Sequence, residues 1–167
     1  MSAVTQHGFA PIAGIRPAVL LLGTFPGRAS REAGEYYAHK QNQFWRILYA
    51  VLRTEWHDPA YAEKLDLLEQ RRVALWDIVG NCETDGSADS EIKKPRLIDL
   101  SGFLREHPTV RAVCFNGAAS ARFAKRLGAL TVDTHILPST SPANARIRPA
   151  DKLKIWSGVL SPYLCGE

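Results

Sequence analysis

The sequence predicts a three-layer α/β/α sandwich with a central four-stranded parallel sheet. Short, continuously apolar runs alternate with segments whose apolar residues recur at helical spacing, the pattern of a parallel sheet covered on both faces. A length of 167 residues suits one core, so a single domain over 1–167 is expected.

The first 15 residues contain Gly8, Pro11 and Gly14 and are expected to wrap the surface irregularly. Ala18-Val-Leu-Leu-Leu-Gly23 is an apolar run ended by glycine and reads as a buried parallel strand. Phe44, Ile47, Leu48, Val51 and Leu52 place an amphipathic helix from Asn42 to about Arg53. A second helix is expected over Ala60 to Gln70, with Tyr61, Leu65 and Leu68 on one face. Val73 to Val79 and Val110 to Phe115 read as buried strands, with a short helix between Leu97 and Glu106. An alanine-rich helix follows Gly117, with Phe123, Ala124 and Leu127 inward. A strand over about Leu130 to Leu137 and a helix from Ala150 to Leu164 complete the pattern.

Composition narrows the class. Hydrophobic residues make up 46% and charged residues 23%, as in an ordinary soluble globular protein. No stretch approaches the roughly 20 apolar residues that cross a membrane. Ala18 to Leu22 is too short and wrongly flanked for a signal peptide, so a cytoplasmic monomer without membrane contact is expected. Cys82, Cys114 and Cys165 are odd in number and far apart, which excludes a zinc site, a cluster site and a disulfide framework. Between Arg122 and Lys154 lie seven basic residues and two acids, against 14 basic and 15 acidic in the other 134 residues. All the excess positive charge sits in that stretch, as a phosphate-facing patch requires, although basic surface also serves solubility.

Ligands of such sheets collect beyond the carboxyl ends of the strands. Gly23-Thr-Phe-Pro-Gly27, Asp77, Asn116 and Pro138-Ser139 all fall there. The glycines of the first segment allow backbone to approach a ligand closely, or simply make a strand–helix turn. In Tyr36-Tyr-Ala-His-Lys-Gln-Asn-Gln-Phe-Trp45, Asn42 stands at the expected N-cap of the long helix, and the aromatic residues suit packing. Leu137-Pro-Ser-Thr-Ser-Pro-Ala-Asn144 is a loop whose amides and hydroxyls suit phosphate, or a plain structural connection.

The order of these segments resembles the uracil-DNA glycosylase superfamily: Gly-Thr-Phe-Pro-Gly, then His-x-x-Asn-x-Phe-Trp, then a Pro-Ser loop near the C-terminus. The middle segment is similar to that of the mismatch-specific uracil glycosylases. Phe25 departs from them, since they carry Asp or Asn, and some relatives Glu, at that position. With Tyr36-Tyr37 and Leu-Pro-Ser-Thr-Ser-Pro-Ala-Asn, this looks like the hypoxanthine (deoxyinosine) DNA glycosylase branch, over about Gly8 to Leu160.

The resemblance implies a monofunctional glycosylase that flips a deaminated base, hypoxanthine foremost, from double- or single-stranded DNA and hydrolyses its glycosidic bond without metal or cofactor. It implies Asn42 as the catalytic amide and Tyr37 as the aromatic that stacks on the base. Asp77 falls where uracil-specific members keep a base-reading asparagine, or else anchors a loop. Asn116 touches the base edge or shapes the turn. Gly23, Thr24 and Phe25 line the base site, their backbone N–H groups stabilising charge on the departing base. In the loop from Pro138 to Arg148, Ser139, Thr140 and Ser141 meet phosphates, and Asn144, Arg146 or Ile147 fills the vacated space in the helix. Arg146 and Arg148 add salt-dependent affinity, and DNA-bound molecules gather on the nucleoid. The rivals are the same fold acting on uracil, a non-catalytic module for damaged DNA, and a hydrolase using Ser139. The last is disfavoured because no G-x-S-x-G elbow holds that serine.

Overall fold

The computed structural model describes residues 4–86 and 88–165; the outermost residues of the expected domain span, 1–3 and 166–167, lie outside them. In chain order the elements are β1 (Thr5–His7), β2 (Val19–Gly23), α1 (Arg28–Ala33), α2 (Phe44–Val51), α3 (Tyr61–Gln70), β3 (Val73–Asp77), β4 (Val79–Glu83), β5 (Lys93–Leu97), α4 (Leu100–Glu106), β6 (Ala112–Asn116), α5 (Ala118–Ala124), β7 (Asp133–Leu137) and α6 (Pro149–Leu164). The central sheet has the order β3-β2-β6-β7 and is parallel throughout. The expected sandwich is therefore observed. No helix among the described residues is long and apolar enough to cross a membrane.

The apolar runs are continuous because both sheet faces are covered. Successive side chains of a strand point to opposite faces. Val19 and Leu21 of β2 join Val73, Leu75, Ala112 and Cys114 under a layer made by α2, α3 and α6, with Phe44, Leu48, Leu68, Trp156 and Leu160 as its buried residues. Leu20 and Leu22 join Ala74, Val113 and Phe115 on the other face, beneath Leu100 and Phe103 of α4 and Ala121 and Ala124 of α5. Four neighbouring strands then end at one edge, with Gly23, Asp77, Asn116 and Leu137 as their last residues.

Three expectations are corrected. Val73 to Val79 is not one strand. Ile78 N–H donates to the Gly23 carbonyl and Val79 N–H to that of Thr24, and the chain then leaves the central sheet as β4. A second, antiparallel sheet of order β1-β4-β5 results, packed through Val79 and Cys82 on the face of α4 and α5. The first 15 residues are not wholly irregular, since β1 pairs with β4 and Ile12 bridges to Leu75. Finally, the long helix begins at Phe44 rather than Asn42.

The last turn of β7 tests the face assignment. Leu137 is 1% exposed and Ile136 is 61% exposed. Leu137→Ala is expected to cost roughly 2–5 kcal/mol in urea unfolding, and Ile136→Ala no more than about 0.5 kcal/mol. Equal losses would contradict the assignment.

Candidate active site

A cavity of about 440 Å³ opens at the carboxyl edge of the central sheet. The turn after β2, the segment before α2, the end of β3, the end of β6 and the loop after β7 all contribute to its wall. Gly23, Thr24, Phe25, Tyr37, Asn42, Asp77 and Asn116 line it together, as do Ser139, Thr140 and Ser141. Pro138, Asn144, Arg146 and Arg148 stand outside the wall.

Asn116 ends β6 and fastens the loops. Its Nδ2 donates to Thr140 Oγ1 at 2.9 Å and to the Tyr37 hydroxyl at 3.2 Å, while its Oδ1 accepts from Thr140 N–H at 3.0 Å. The whole amide is thus engaged by protein partners. Thr140 is correspondingly buried, with 0% exposure, and its carbonyl accepts from Gln43 N–H. The expectation that Thr140 meets phosphate is corrected: its hydroxyl, amide and carbonyl are all turned to protein. Gly117 follows Asn116 with φ +98°, and a Cβ there would lie 3.0 Å from Ser139 Cβ, so both conformation and space call for glycine.

Asn42 and Tyr37 are held by the segment between α1 and α2. Asn42 Oδ1 accepts from Phe44 N–H at 2.9 Å, capping the start of α2 from just before it. This fixes the amide, and Nδ2 makes no hydrogen bond with a described residue. Tyr36 is core: its hydroxyl donates to the Ala10 carbonyl and its own carbonyl accepts from Trp45 Nε1. Tyr37 adopts a left-handed backbone, φ 54°, which costs a side-chain-bearing residue on the order of 1 kcal/mol. Its ring stacks on Phe44 at 3.8 Å with an interplanar angle of 15°. Burial pushes the phenols of both tyrosines well above their ordinary range, so they stay neutral.

Asp77 is the unusual group. It is 5% exposed, and its Oδ2 has no hydrogen-bond partner among the described residues. Burial, and then the negative charge of Asp89, push its carboxyl up to about 7. A Cβ on Gly23 would lie 2.4 Å from Asp77 Oδ1 and 2.9 Å from the Tyr37 hydroxyl, so glycine is what lets both groups reach the cavity. Phe25 is half-buried, packs in the core beneath the second sheet, and carries the Arg31 guanidinium over its ring at 5.8 Å.

The loop after β7 is pinned from α6. Trp156 Nε1 donates to the Pro138 carbonyl at 3.0 Å, and Lys152 Nζ to the Asn144 carbonyl at 2.8 Å. Lys152 is 1% exposed, so one of the seven basic residues holds the loop from inside and faces no phosphate. Asn144 Nδ2 donates to the Ser139 carbonyl, which keeps that side chain on the loop. Arg146 is exposed and among the described residues makes no ion pair, whereas Arg148 pairs with Asp151 at 2.8 Å. Ser139 Oγ accepts from Ser141 N–H, and among the described residues no histidine hydrogen-bonds to it, which removes the support for a serine nucleophile.

Asp89 was not anticipated. It sits in a short 3₁₀ turn between β4 and β5 and lines the cavity, its Oδ2 accepting from Thr24 Oγ1 at 3.3 Å. In sequence it lies in a run of small polar and acidic residues with no periodicity to mark it.

The model of the uracil DNA glycosylase superfamily matches residues 11–159. The chain belongs to that superfamily. Among curated proteins, the "hypoxanthine DNA glycosylase" of Methanosarcina acetivorans is 33% identical over 141 residues, 84% of this chain and 89% of the relative. The protein of the same name from Methanosarcina barkeri is 31% identical over the same shares. The fold is similar to a solution NMR structure of a Methanosarcina acetivorans protein put forward as a uracil DNA glycosylase. Its TM-score is 0.84 at 30% identity, covering 96% of this chain and 99% of that one. The superfamily match spans every segment that lines the cavity.

The raised carboxyl of Asp77 gives a pH prediction. With a folded value near 7 against an ordinary 3.8, the folded state binds a proton that the unfolded state has released, so stability falls as pH rises between those values. Asp77→Asn removes this penalty. The variant is expected to gain stability over the parent at pH 8, by on the order of a few kcal/mol, and to gain little at pH 4. Thermal melts of both proteins at the two pH values check it; a gain that does not depend on pH would contradict the burial of an unpaired carboxyl.

Proposed function

We propose that this protein is a monofunctional DNA glycosylase of base excision repair. It flips a deaminated base, hypoxanthine foremost, out of DNA and hydrolyses the N-glycosidic bond to leave an abasic site. The observation that carries the reading is the convergence of Asn42, Tyr37 and Asp77 on one cavity, with a buried Asp77 oxygen that has no hydrogen-bond partner among the described residues. A buried polar atom left unpaired costs about 1–3 kcal/mol, which a ligand donor recovers. Hypoxanthine presents N1–H and O6 side by side, a donor and an acceptor that a protonated Asp77 carboxyl can pair together. The names of the two Methanosarcina relatives support hypoxanthine as the base.

Each group has a task in this reaction. The base lies on the face of Tyr37 opposite Phe44. Neutral Asp77 accepts N1–H with one oxygen and donates its O–H to O6, where negative charge gathers as the base departs. The departing sugar is oxocarbenium-like, so the attacking water must be placed rather than made strongly nucleophilic. Asn42 places it, with Oδ1 fixed by Phe44 N–H and Nδ2 turned to substrate. Backbone N–H groups around Thr24 and Phe25 add to the stabilisation of the leaving group. At the cavity mouth Ser139 and Ser141 meet the DNA backbone, Arg148 does so outside it, and the exposed Arg146 enters the space the base vacates. Extrusion costs a few kcal/mol, least where pairing is weak or absent, so single strands and mismatched duplexes are both substrates. The protein works as a monomer in the cytoplasm.

Labelled duplexes bearing inosine, uracil or xanthine test the reading. The inosine strand is expected to become alkali-labile and to stay intact without alkali. Asn42→Ala should lower single-turnover base release by about 10²–10³-fold while DNA affinity stays within several-fold. Release from uracil alone would move the reading to a uracil glycosylase. Tight binding without release from any duplex would replace it by a non-catalytic module for damaged DNA.

A further inference from the structure

Hydrolysis of a glycosidic bond releases a proton, and Asn42 cannot take it. The water oxygen bonds to C1′, the C1′–N9 bond breaks, and its electron pair leaves with the base. The proton lost by the water needs a base within the cavity. Apart from His39, which is exposed at the rim, the titratable groups of the wall are Tyr36, Tyr37, Asp77 and Asp89. The two phenols are neutral, and Asp77 is the unpartnered, 5% exposed acid set against the base edge.

We propose that Asp89, carried by the connection between β4 and β5, is a further catalytic residue that accepts the proton of the attacking water. The inference rests on the glycosylase reading above and names the base that reading lacks. Phe25 offers no carboxylate there, and a strand connection 65 residues further along brings one to the hydroxyl of the neighbouring Thr24. The connection is fastened so that the carboxylate stays in place. Arg31 donates to the carbonyls of Pro26 and Gly86, tying the first loop to the connection. Glu91 accepts from Ala88 N–H and closes the turn that holds Asp89.

The two carboxyls then divide the work. Asp77, pushed up by burial and by the negative charge of Asp89, retains its proton and donates to the leaving base. Burial also raises Asp89, but the Thr24 hydrogen bond and the charge of Arg122 on α5 pull it back toward ionisation. Paired acids whose surroundings set them apart in this way are suited to acid and base roles in one site. After attack the base leaves with negative charge on O6 and N9 and takes the Asp77 proton, while Asp89 holds the proton of the water. The charges balance without a metal or a second reactant.

The test is single-turnover release of hypoxanthine from a deoxyinosine duplex as a function of pH. The wild-type rate is expected to rise with pH as Asp89 ionises and to fall again above about 7 as Asp77 does. Asp89→Asn keeps an acceptor for Thr24 and loses the base. It should bind the duplex within several-fold of wild type, release base at least ~100-fold more slowly, and lack the rise on the acid side. Thr24→Val keeps the carboxylate and removes the hydrogen bond that lowers its pKa, so its acid limb should move to higher pH. An Asp89→Asn rate within threefold of wild type, or a wild-type profile flat on the acid side, would overturn the proposal. The second result needs no variant to fold. Absence of release by wild type from every deaminated duplex would instead overturn the glycosylase reading itself.

Discussion

The side-chain amide of Asn116 is the constraint on which the site depends. Two segments distant in sequence meet at it: the one before α2, through the Tyr37 hydroxyl, and the loop after β7, through the hydroxyl and N–H of Thr140, whose carbonyl in turn accepts from Gln43 N–H. Every hydrogen-bonding atom of that amide is satisfied inside the protein, where such bonds are strengthened by the low dielectric and costly to break singly. The parallel sheet brings the strand ends to one edge, but the sheet alone leaves the loops free to splay. Asn116 converts that edge into a cavity of fixed shape, with Tyr37 and Asn42 on one side and the loop after β7 on the other.

Once the loops are fastened, the unsatisfied atom becomes meaningful. Gln43 Oε1 and Asp77 Oδ2 are the buried side-chain atoms without partners among the described residues, and Asp77 lines the cavity. Asn116 is satisfied completely, while two strands across the sheet an Asp77 oxygen is left open toward the cavity. Its retained proton follows from the same burial. Stability surrendered at neutral pH is consistent with a group kept for ligand rather than for the fold.

The layers were legible because β2, β3 and β6 are buried on both faces, and that leaves uninterrupted apolar runs. The second sheet was not. β5 reads Lys-Lys-Pro-Arg-Leu and is largely exposed, so neither alternation nor hydrophobicity announces it, and its partner β4 hid behind the continuous run from Val73. In the site, the glycine, asparagine and tyrosine of the strand-end segments were legible from their order. The division of labour between Asn116 and Asp77 was not, because it depends on which side chain finds partners across 24 to 79 residues. Asp89 escaped for the same reason, being placed by a hydrogen bond between residues 65 apart. Local chemistry marked Thr140 as a phosphate contact and Lys152 as part of a basic patch; long-range packing turned both inward.

The most direct measurement of the central claim is the identity and amount of the released base. Mass-spectrometric analysis of a deoxyinosine duplex after reaction is expected to find free hypoxanthine equimolar with abasic sites, on a strand whose backbone is intact. Bound duplex with all of its hypoxanthine still attached to deoxyribose, by a protein shown to be folded, would contradict the account.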